Sequence, residues 1–354
     1  MKFSLFLHIE RYDDTVSHRQ LYEELLELCD LAEAGGMDKV WIGEHHAMEY
    51  TVSPNPMPLL AAVAGRTKRI RLGAGTVIAP FWHPIRLAGE AALLDVISNG
   101  RAEIGIARGA YQFEFDRLLN GAPATAGGSY MREQVPAVRA LWQGDYAHDG
   151  EHWQFPLSTS VPKPVQQPMP PMWIAARDPD SHRFAVANHC NVMVTPLVKG
   201  DAEVSDLVAK FDTACAENPA VPRPQLMVLQ HAYVAHDEAE LARAAEGISF
   251  FYRSFGVWFA NRQPPVAGFH HDVPPLDTAK FPDMAPEAIR ANLPIGTPQE
   301  VVARLKAYAA QGVDEYSLWV DSSLSFADKK ANVERFIAEV MPAFAEAGAS
   351  VPAL

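Results

Sequence analysis

Cysteine is scarce in this chain. Cys29, Cys190 and Cys215 are its only three in 354 residues. They lie far apart with no CxxC pair, so neither a disulfide framework nor a zinc knuckle is expected. A reducing compartment fits. Positive charge is also short: 43 acidic against 30 basic residues give a formal net charge of −13. No Lys/Arg block occurs, so nucleic acid and anionic membranes are poor partners, since both are held through basic patches. No apolar run approaches the ~20 residues that span a bilayer. The N-terminus opens on a strand-like run, residues 3–9, without the basic and long apolar regions of a signal peptide. The expected address is the cytoplasm.

Several chemical signatures are missing too. There is no GxxxxGK[ST] cradle for a nucleotide triphosphate, no GxSxG elbow and no HExxH pair. Gly73-Ala-Gly75 lacks the third glycine of a dinucleotide fingerprint and sits inside an apparent strand.

What is present is an alternation of short apolar runs with helix-length amphipathic segments, the pattern of a parallel α/β fold. Strands are predicted over 3–9, 39–43, 70–78, 102–107, 172–176, 191–194, 225–235 and 315–320. Helices are predicted over 17–35, 56–66, 84–98, 130–142, 181–188, 201–217, 238–254, 298–311 and 327–344. Residues 144–167 read as an excursion with a hairpin-like Asp149-Gly150. Eight strands, each followed by a helix, make one (β/α)₈ TIM barrel over residues 1–354, a common size for that fold. Residues 261–294 are proline-rich and without period. A long segment of this kind inside a domain is a disordered insertion or a mobile lid, and lids over barrel mouths are common.

The active site of such a barrel lies at the C-terminal ends of the strands. The second strand ends in Glu44-His45-His46, the third near Gly75-Thr76, the fourth in Arg108-Gly109-Ala110-Tyr111 and the fifth in Ala176-Arg177, followed by Ser181. Adjacent residues of an extended chain face opposite ways, so His45 and His46 do not readily share a metal ion, and no metal site is expected. Each imidazole is either a structural histidine or a general acid or base, since it titrates near neutral pH. Arg108 is either a surface ion-pair partner or a bidentate phosphate clamp beside the glycine backbone. Phe6, His8, Tyr111, Thr195 and Trp319 stand at strand ends as pocket candidates, with Phe81 and Trp82 beyond. Phe6 and Trp319 are equally well explained as barrel core.

Taken in order, a set of segments resembles the luciferase-like, flavin-dependent monooxygenase family along nearly the whole chain. They are Trp41-Ile-Gly-Glu-His-His46, Leu72-Gly-Ala-Gly-Thr-Val-Ile-Ala-Pro80, His83-Pro-Ile-Arg-Leu-Ala88, Leu94-Asp95 and Ser98-Asn-Gly-Arg101. Ile104-Gly-Ile-Ala-Arg-Gly-Ala-Tyr111, Pro162-Lys-Pro-Val-Gln166, Pro170-Pro-Met-Trp-Ile-Ala175 and Ile295-Gly-Thr-Pro-Gln-Glu300 follow. The resemblance implies a (β/α)₈ barrel with an insertion before the last strand, at 261–294. It implies reduced flavin mononucleotide (FMNH2) at the barrel mouth, reacting with O₂ to a C4a-(hydro)peroxide that oxygenates a small organic substrate. A separate NAD(P)H:flavin reductase would supply the reduced flavin. Within the Glu44-His45-His46 motif, His45 takes the main catalytic role. Arg108 matches the phosphate-clamping arginine, with Gly109, Ala110 and Tyr111 beside it. Gly75-Thr76 matches a non-prolyl cis peptide under the flavin ring. Family members are usually dimers, and the apolar helix at 84–97 allows a homodimer.

There are departures. Ala176-Arg177 replaces a Glu-Ser pair of luciferase, leaving Arg177 or Ser181 as added phosphate donors. Ala107 replaces the reactive cysteine, so light emission is not implied. Two other readings share this barrel: an F420-dependent dehydrogenase, and a non-catalytic flavin-binding subunit.

Overall fold

The computed structural model describes residues 1–345. In chain order the elements begin β1 (Lys2–Leu7), α1 (His18–Ala34), β2 (Lys39–Ile42), α2 (Pro56–Arg66), β3 (Arg71–Ile78), α3 (Pro84–Ile97) and β4 (Ala102–Ala107). Next come α4 (Gln112–Leu118), α5 (Gly127–Gln143), the hairpin β5 (Tyr146–Asp149) and β6 (Gln154–Ser158), β7 (Met172–Ala175), α6 (Pro179–Ala187), β8 (Asn191–Val194) and α7 (Asp201–Glu217). The chain continues through β9 (Leu226–His231), β10 (Tyr233–Val234), α8 (Glu238–Ala260), α9 (Pro286–Asn292), β11 (Ile295–Gly296), α10 (Pro298–Ala310), β12 (Glu315–Trp319) and α11 (Phe326–Arg335). Strands β1, β2, β3, β4, β7, β8, β9 and β12 close a parallel barrel in that order. It is the (β/α)₈ architecture expected from the alternating pattern.

The strands are buried on both faces, as helix-covered parallel strands must be. Outward residues such as Leu5, Val40, Leu72, Ile104, Ile174, Val192, Val228 and Leu318 join the helices in one apolar cluster. Inward residues Phe6, Trp41, Trp173, Met193, Met227 and Trp319 form a second cluster inside the barrel. Trp41 and Trp173 meet edge to face at 5.4 Å. Gly73 makes room for them, because a Cβ there would fall 2.0 Å from the Trp41 ring.

The N-terminal end of the barrel is closed by buried charges. Lys39 pairs with Glu315 and Arg71 with Glu103. Ser4 donates to Glu315 at 2.7 Å, Trp41 Nε1 to Glu315 at 3.2 Å and Trp173 Nε1 to Glu103 at 2.5 Å. Lys39 and Arg71 face Glu315 and Glu103, with Asp38 also 2.9 Å from Lys39, and the indoles satisfy further lone pairs, which makes such burial tolerable. With that end plugged, a ligand can enter only at the C-terminal ends of the strands.

Two elements differ from the sequence expectation. The strand predicted over 225–235 divides. β9 stays in the barrel, while β10 pairs with β11 outside it. Tyr233 N–H donates to Pro294 O at 3.0 Å and Ala235 N–H to Gly296 O at 2.9 Å. The chain therefore departs after residue 235 and returns at 294, so the excursion includes α8 as well as 261–294. Second, α8 is no wall helix. It lies across the mouth, with Phe251 5.5 Å from His8 and 5.2 Å from Trp319, and Phe255 5.8 Å from Tyr111. Residues 261–294 carry α9, a 3₁₀ turn at Pro282–Met284 and a bridge between Val266 and Phe269. Among the described residues, no helix is long and apolar enough to cross a membrane.

Candidate active site

The three residues after β2 divide as strand alternation demands. Glu44 turns into the seam between β2 and β3. Its carboxylate accepts Ile78 N–H at 3.0 Å and Trp82 Nε1–H at 2.7 Å, and His46 Nε2 lies 2.6 Å away. Burial pushes the Glu44 carboxyl above the usual carboxylate range, against the opposing pull of His46, Ile78 and Trp82. The His46 ring rests edge-on against Phe81 at 5.3 Å. Glu44 and His46 thus brace each other away from the mouth.

His45 points the other way. Its ring stands 4.9 Å from Tyr111 and 5.8 Å from His8. Its Nδ1 is 3.2 Å from both oxygens of Glu114. Glu114 lies on α4 and is fully buried, and it also accepts His46 N–H at 2.7 Å. A carboxylate only accepts, so Nδ1 carries the proton and Nε2 is left as the free nitrogen. Sequence reasoning passed over Glu114, because the short helix at 112–118 was not predicted. The available signal was an acidic residue between Phe113 and Phe115, since a charge in an apolar run needs a buried partner.

Beside His45, the Gly75–Thr76 peptide is cis, as the resemblance implied, and the β3–β4 register shifts between Ala74 and Val77. After β4, Arg108 is exposed, and among the described residues no hydrogen bond or ion pair holds its guanidinium. Gly109 has φ +83°, and a Cβ there would meet Phe115 at 2.8 Å, so glycine is required. Ala110 is exposed and Tyr111 buried. The first residue of α5 packs on this turn: a Cβ on Gly127 would lie 1.8 Å from the Arg108 carbonyl oxygen.

The third cluster of predicted residues is already engaged. Ala176 is buried. Arg177 donates to Thr195 O at 2.7 Å and to Glu203 at 2.5 Å, so its charge is neutralised at the rim. Ser181 N–H bonds the Asp178 carboxylate at 2.9 Å and its hydroxyl bonds Asp178 O at 2.8 Å. Asp178 caps α6. Burial works to raise the Asp178 carboxyl, but the Ser181 contacts outweigh it and hold the group low, with Arg108 adding to the effect. Of the expected anion donors, Arg108 alone is unengaged.

The rest of the mouth is aromatic. His8 Nε2 lies 2.6 Å from Thr51 Oγ1. His231 Nε2–H donates to Asp321 O at 2.6 Å, and Nδ1 lies 3.0 Å from the Tyr252 hydroxyl. Its ring stacks on Trp319 at 4.6 Å. Burial lowers His231 to about 3 and holds His8 well below the ordinary histidine value, so both rings are neutral at pH 7. A buried Glu10–Lys329–Asp321 group ties the ends of β1 and β12 together. The residues present fit a flavin: one guanidinium without a hydrogen-bond partner among the described residues stands beside glycine backbone, and aromatic rings surround His45.

Residues 1–315 match the family described as luciferase-like monooxygenase. The chain belongs to that family. It is 54% identical over 346 residues, covering 98% of this chain and 96% of the relative, to the oxygenase component of flavin-dependent trigonelline monooxygenase from Acinetobacter baylyi. Among solved structures, it is similar to the monooxygenase RslO1 from Streptomyces bottropensis, with TM-score 0.83, 28% identity, and coverage of 98% and 100% of the two chains. The FMN-bound oxygenating constituent of 3,6-diketocamphane monooxygenase from Pseudomonas putida shares the fold at TM-score 0.76 and 21% identity, over 97% and 98% of the chains.

Proposed function

We propose that this luciferase-like protein is the oxygenase component of a two-component monooxygenase, using reduced FMN and O₂ to oxygenate a small N-methylpyridinium carboxylate such as trigonelline. The observation that carries this is the 54% identity, over nearly the full length of both chains, to the oxygenase component of a flavin-dependent trigonelline monooxygenase. The reduced flavin would come from a separate NAD(P)H:flavin reductase in the cytoplasm. When bound, reduced flavin supplies the electrons that activate O₂.

The chain's own residues take the remaining roles. Arg108 grips the flavin phosphate through its free guanidinium, with the Gly109 and Ala110 backbone beside it. Gly75 and Thr76 would help hold the flavin ring. His45, its Nδ1–H fixed by Glu114, holds or delivers a proton through Nε2. Glu44 and His46 act through position only, bracing the turn that carries His45. The aromatic mouth and α8 exclude water that would divert activated oxygen, and residues 261–294 act as the mobile part of that cover. Leu93, Val96 and Ile97 are exposed apolar residues on α3, which supports a homodimer packed through that helix.

The test mixes the protein with anaerobically reduced FMN, trigonelline and ¹⁸O₂. The product should contain ¹⁸O and form only when flavin and O₂ are both present. His45→Ala should keep O₂ uptake while losing product. Absence of FMN binding, or a product that lacks ¹⁸O, would overturn the proposal.

A further inference from the structure

We propose that His8 and Trp319 are specificity-determining residues that hold the carboxylate of a flat aromatic substrate at the barrel mouth. This rests on the monooxygenase proposal above and adds to it the residues that select the substrate.

The first observation is an indole N–H that is both buried and without a partner. Trp41, Trp173, Trp82 and Trp142 all donate their Nε1–H to a buried oxygen: Glu315, Glu103, Glu44 and Ala88 O. Trp319 does not. Only 6% of it is exposed, and its Nε1 is enclosed without an acceptor among the described residues. A buried N–H without a partner is costly, so a fold retains one where a ligand supplies the acceptor.

The second observation is independent. His8 is 4% exposed and uses only Nε2, toward Thr51. Its Nδ1 has no partner among the described residues. Thr51 has no other side-chain partner among the described residues, so its hydroxyl is free to donate to Nε2, leaving the proton on Nδ1. His8 then presents a second donor. The two rings are 5.4 Å apart, centroid to centroid.

The walls indicate what bears the accepting oxygen. His8 stands 4.8 Å from Tyr50, and Trp319 stands 5.2 Å from both Phe6 and Phe251. Behind them, Lys329 pairs with Glu10 and lies 3.7 Å from Asp321, whose carboxyl is pushed up by burial. Aromatic faces favour a cation. Two neutral donors suit a carboxylate whose charge is balanced within its own molecule. A planar zwitterion, with ring cation and ring carboxylate, meets both demands. His45 stands 5.8 Å from His8, so a ring held here is within reach of the proton-handling group.

The test uses the FMN holoenzyme. Trigonelline, N-methylnicotinamide and 1-methylpyridinium are titrated while flavin absorbance is followed. The wild type should prefer trigonelline to the amide by tenfold or more. Trp319→Phe and His8→Phe should each weaken trigonelline by about tenfold or more, the usual worth of a hydrogen bond to a charged group. Both should leave 1-methylpyridinium and FMN affinity within about twofold. Thr51→Val removes only the contact at His8 Nε2 and should give a smaller loss of the same kind, which keeps the test open if a change at the rings fails to fold. Equal weakening of all three probes, unchanged trigonelline affinity, or no probe binding to wild-type holoenzyme would each overturn the assignment. FMN binding with ¹⁸O incorporation would still stand in those cases, whereas loss of FMN binding by the wild type defeats the underlying reading.

Discussion

Glu114→Gln tests whether the buried carboxylate sets the proton position on His45. The change keeps the shape of the side chain and removes its charge. Glu114 accepts His46 N–H at 2.7 Å and faces His45 Nδ1 at 3.2 Å with both oxygens. A glutamine oxygen can still accept from His46. Its amide nitrogen then faces Nδ1 and can only donate, which forces the His45 proton onto Nε2. The tautomer at the mouth is reversed. Replacing charge-assisted bonds by neutral ones should cost about 1–2 kcal/mol of stability. Catalysis should suffer more, because positioned proton transfer contributes roughly 10²–10⁴-fold. We expect product per O₂ consumed to fall by about 10²-fold in single turnover, while FMN affinity changes less than about twofold, since Glu114 lies away from Arg108. Histidine ¹⁵N spectra should show His45 protonated at Nδ1 in the wild type and at Nε2 in the variant. An unchanged product-to-O₂ ratio would refute the reasoning, as would lost coupling with the original tautomer retained.

Two further outcomes follow from charge and burial. Arg108→Ala should weaken FMN by about tenfold or more and leave riboflavin, which lacks the phosphate, nearly unaffected in equilibrium titration; equal losses would remove Arg108 from the phosphate site. His231 has its pKa depressed by burial to about 3, against an ordinary value of about 6.5. The unfolded chain binds its proton through that window, so the contribution of His231 to stability is whole above about pH 6.5 and declines as pH falls toward 3, at about 1.4 kcal/mol per unit. Urea unfolding at pH 7 and pH 5 should therefore show a drop that His231→Gln reduces by about 2 kcal/mol; an equal drop in both proteins would contradict it.

The barrel was legible because each of its strands carries its own signal. Residues 39–43, 102–107 and 172–176 are short, almost wholly apolar runs bounded by turn residues, as helix-covered parallel strands require. The three-residue motif after β2 was legible as well, since alternation alone separates His45 from its neighbours. The role of α8 was not. Its helical period is the same whether its apolar face covers the outside of the barrel or its mouth. Only the pairing of 233–235 with 294–296, sixty residues apart, reveals that the chain has left the barrel before α8 begins. Glu114 was hidden for a related reason: a seven-residue helix gives too little periodicity to find, and its partner is set by the fold.

The phosphate donors carry the point further. In the sequence, Arg108 is the candidate phosphate clamp, and Arg177 and Ser181 stand as possible added donors. The fold makes them unequal by adding partners that lie elsewhere in the chain. Glu203, 26 residues downstream, neutralises Arg177, and Asp178 holds both hydrogen-bonding groups of Ser181. An anion arriving at either would first have to displace an existing carboxylate contact. Arg108, near the Asp178 carboxylate, makes no hydrogen bond or ion pair among the described residues, beside the turn that glycine keeps open at Gly109. The same logic marks Trp319: Trp41, Trp82, Trp142 and Trp173 have their acceptors built in, whereas its Nε1 is buried without one among the described residues.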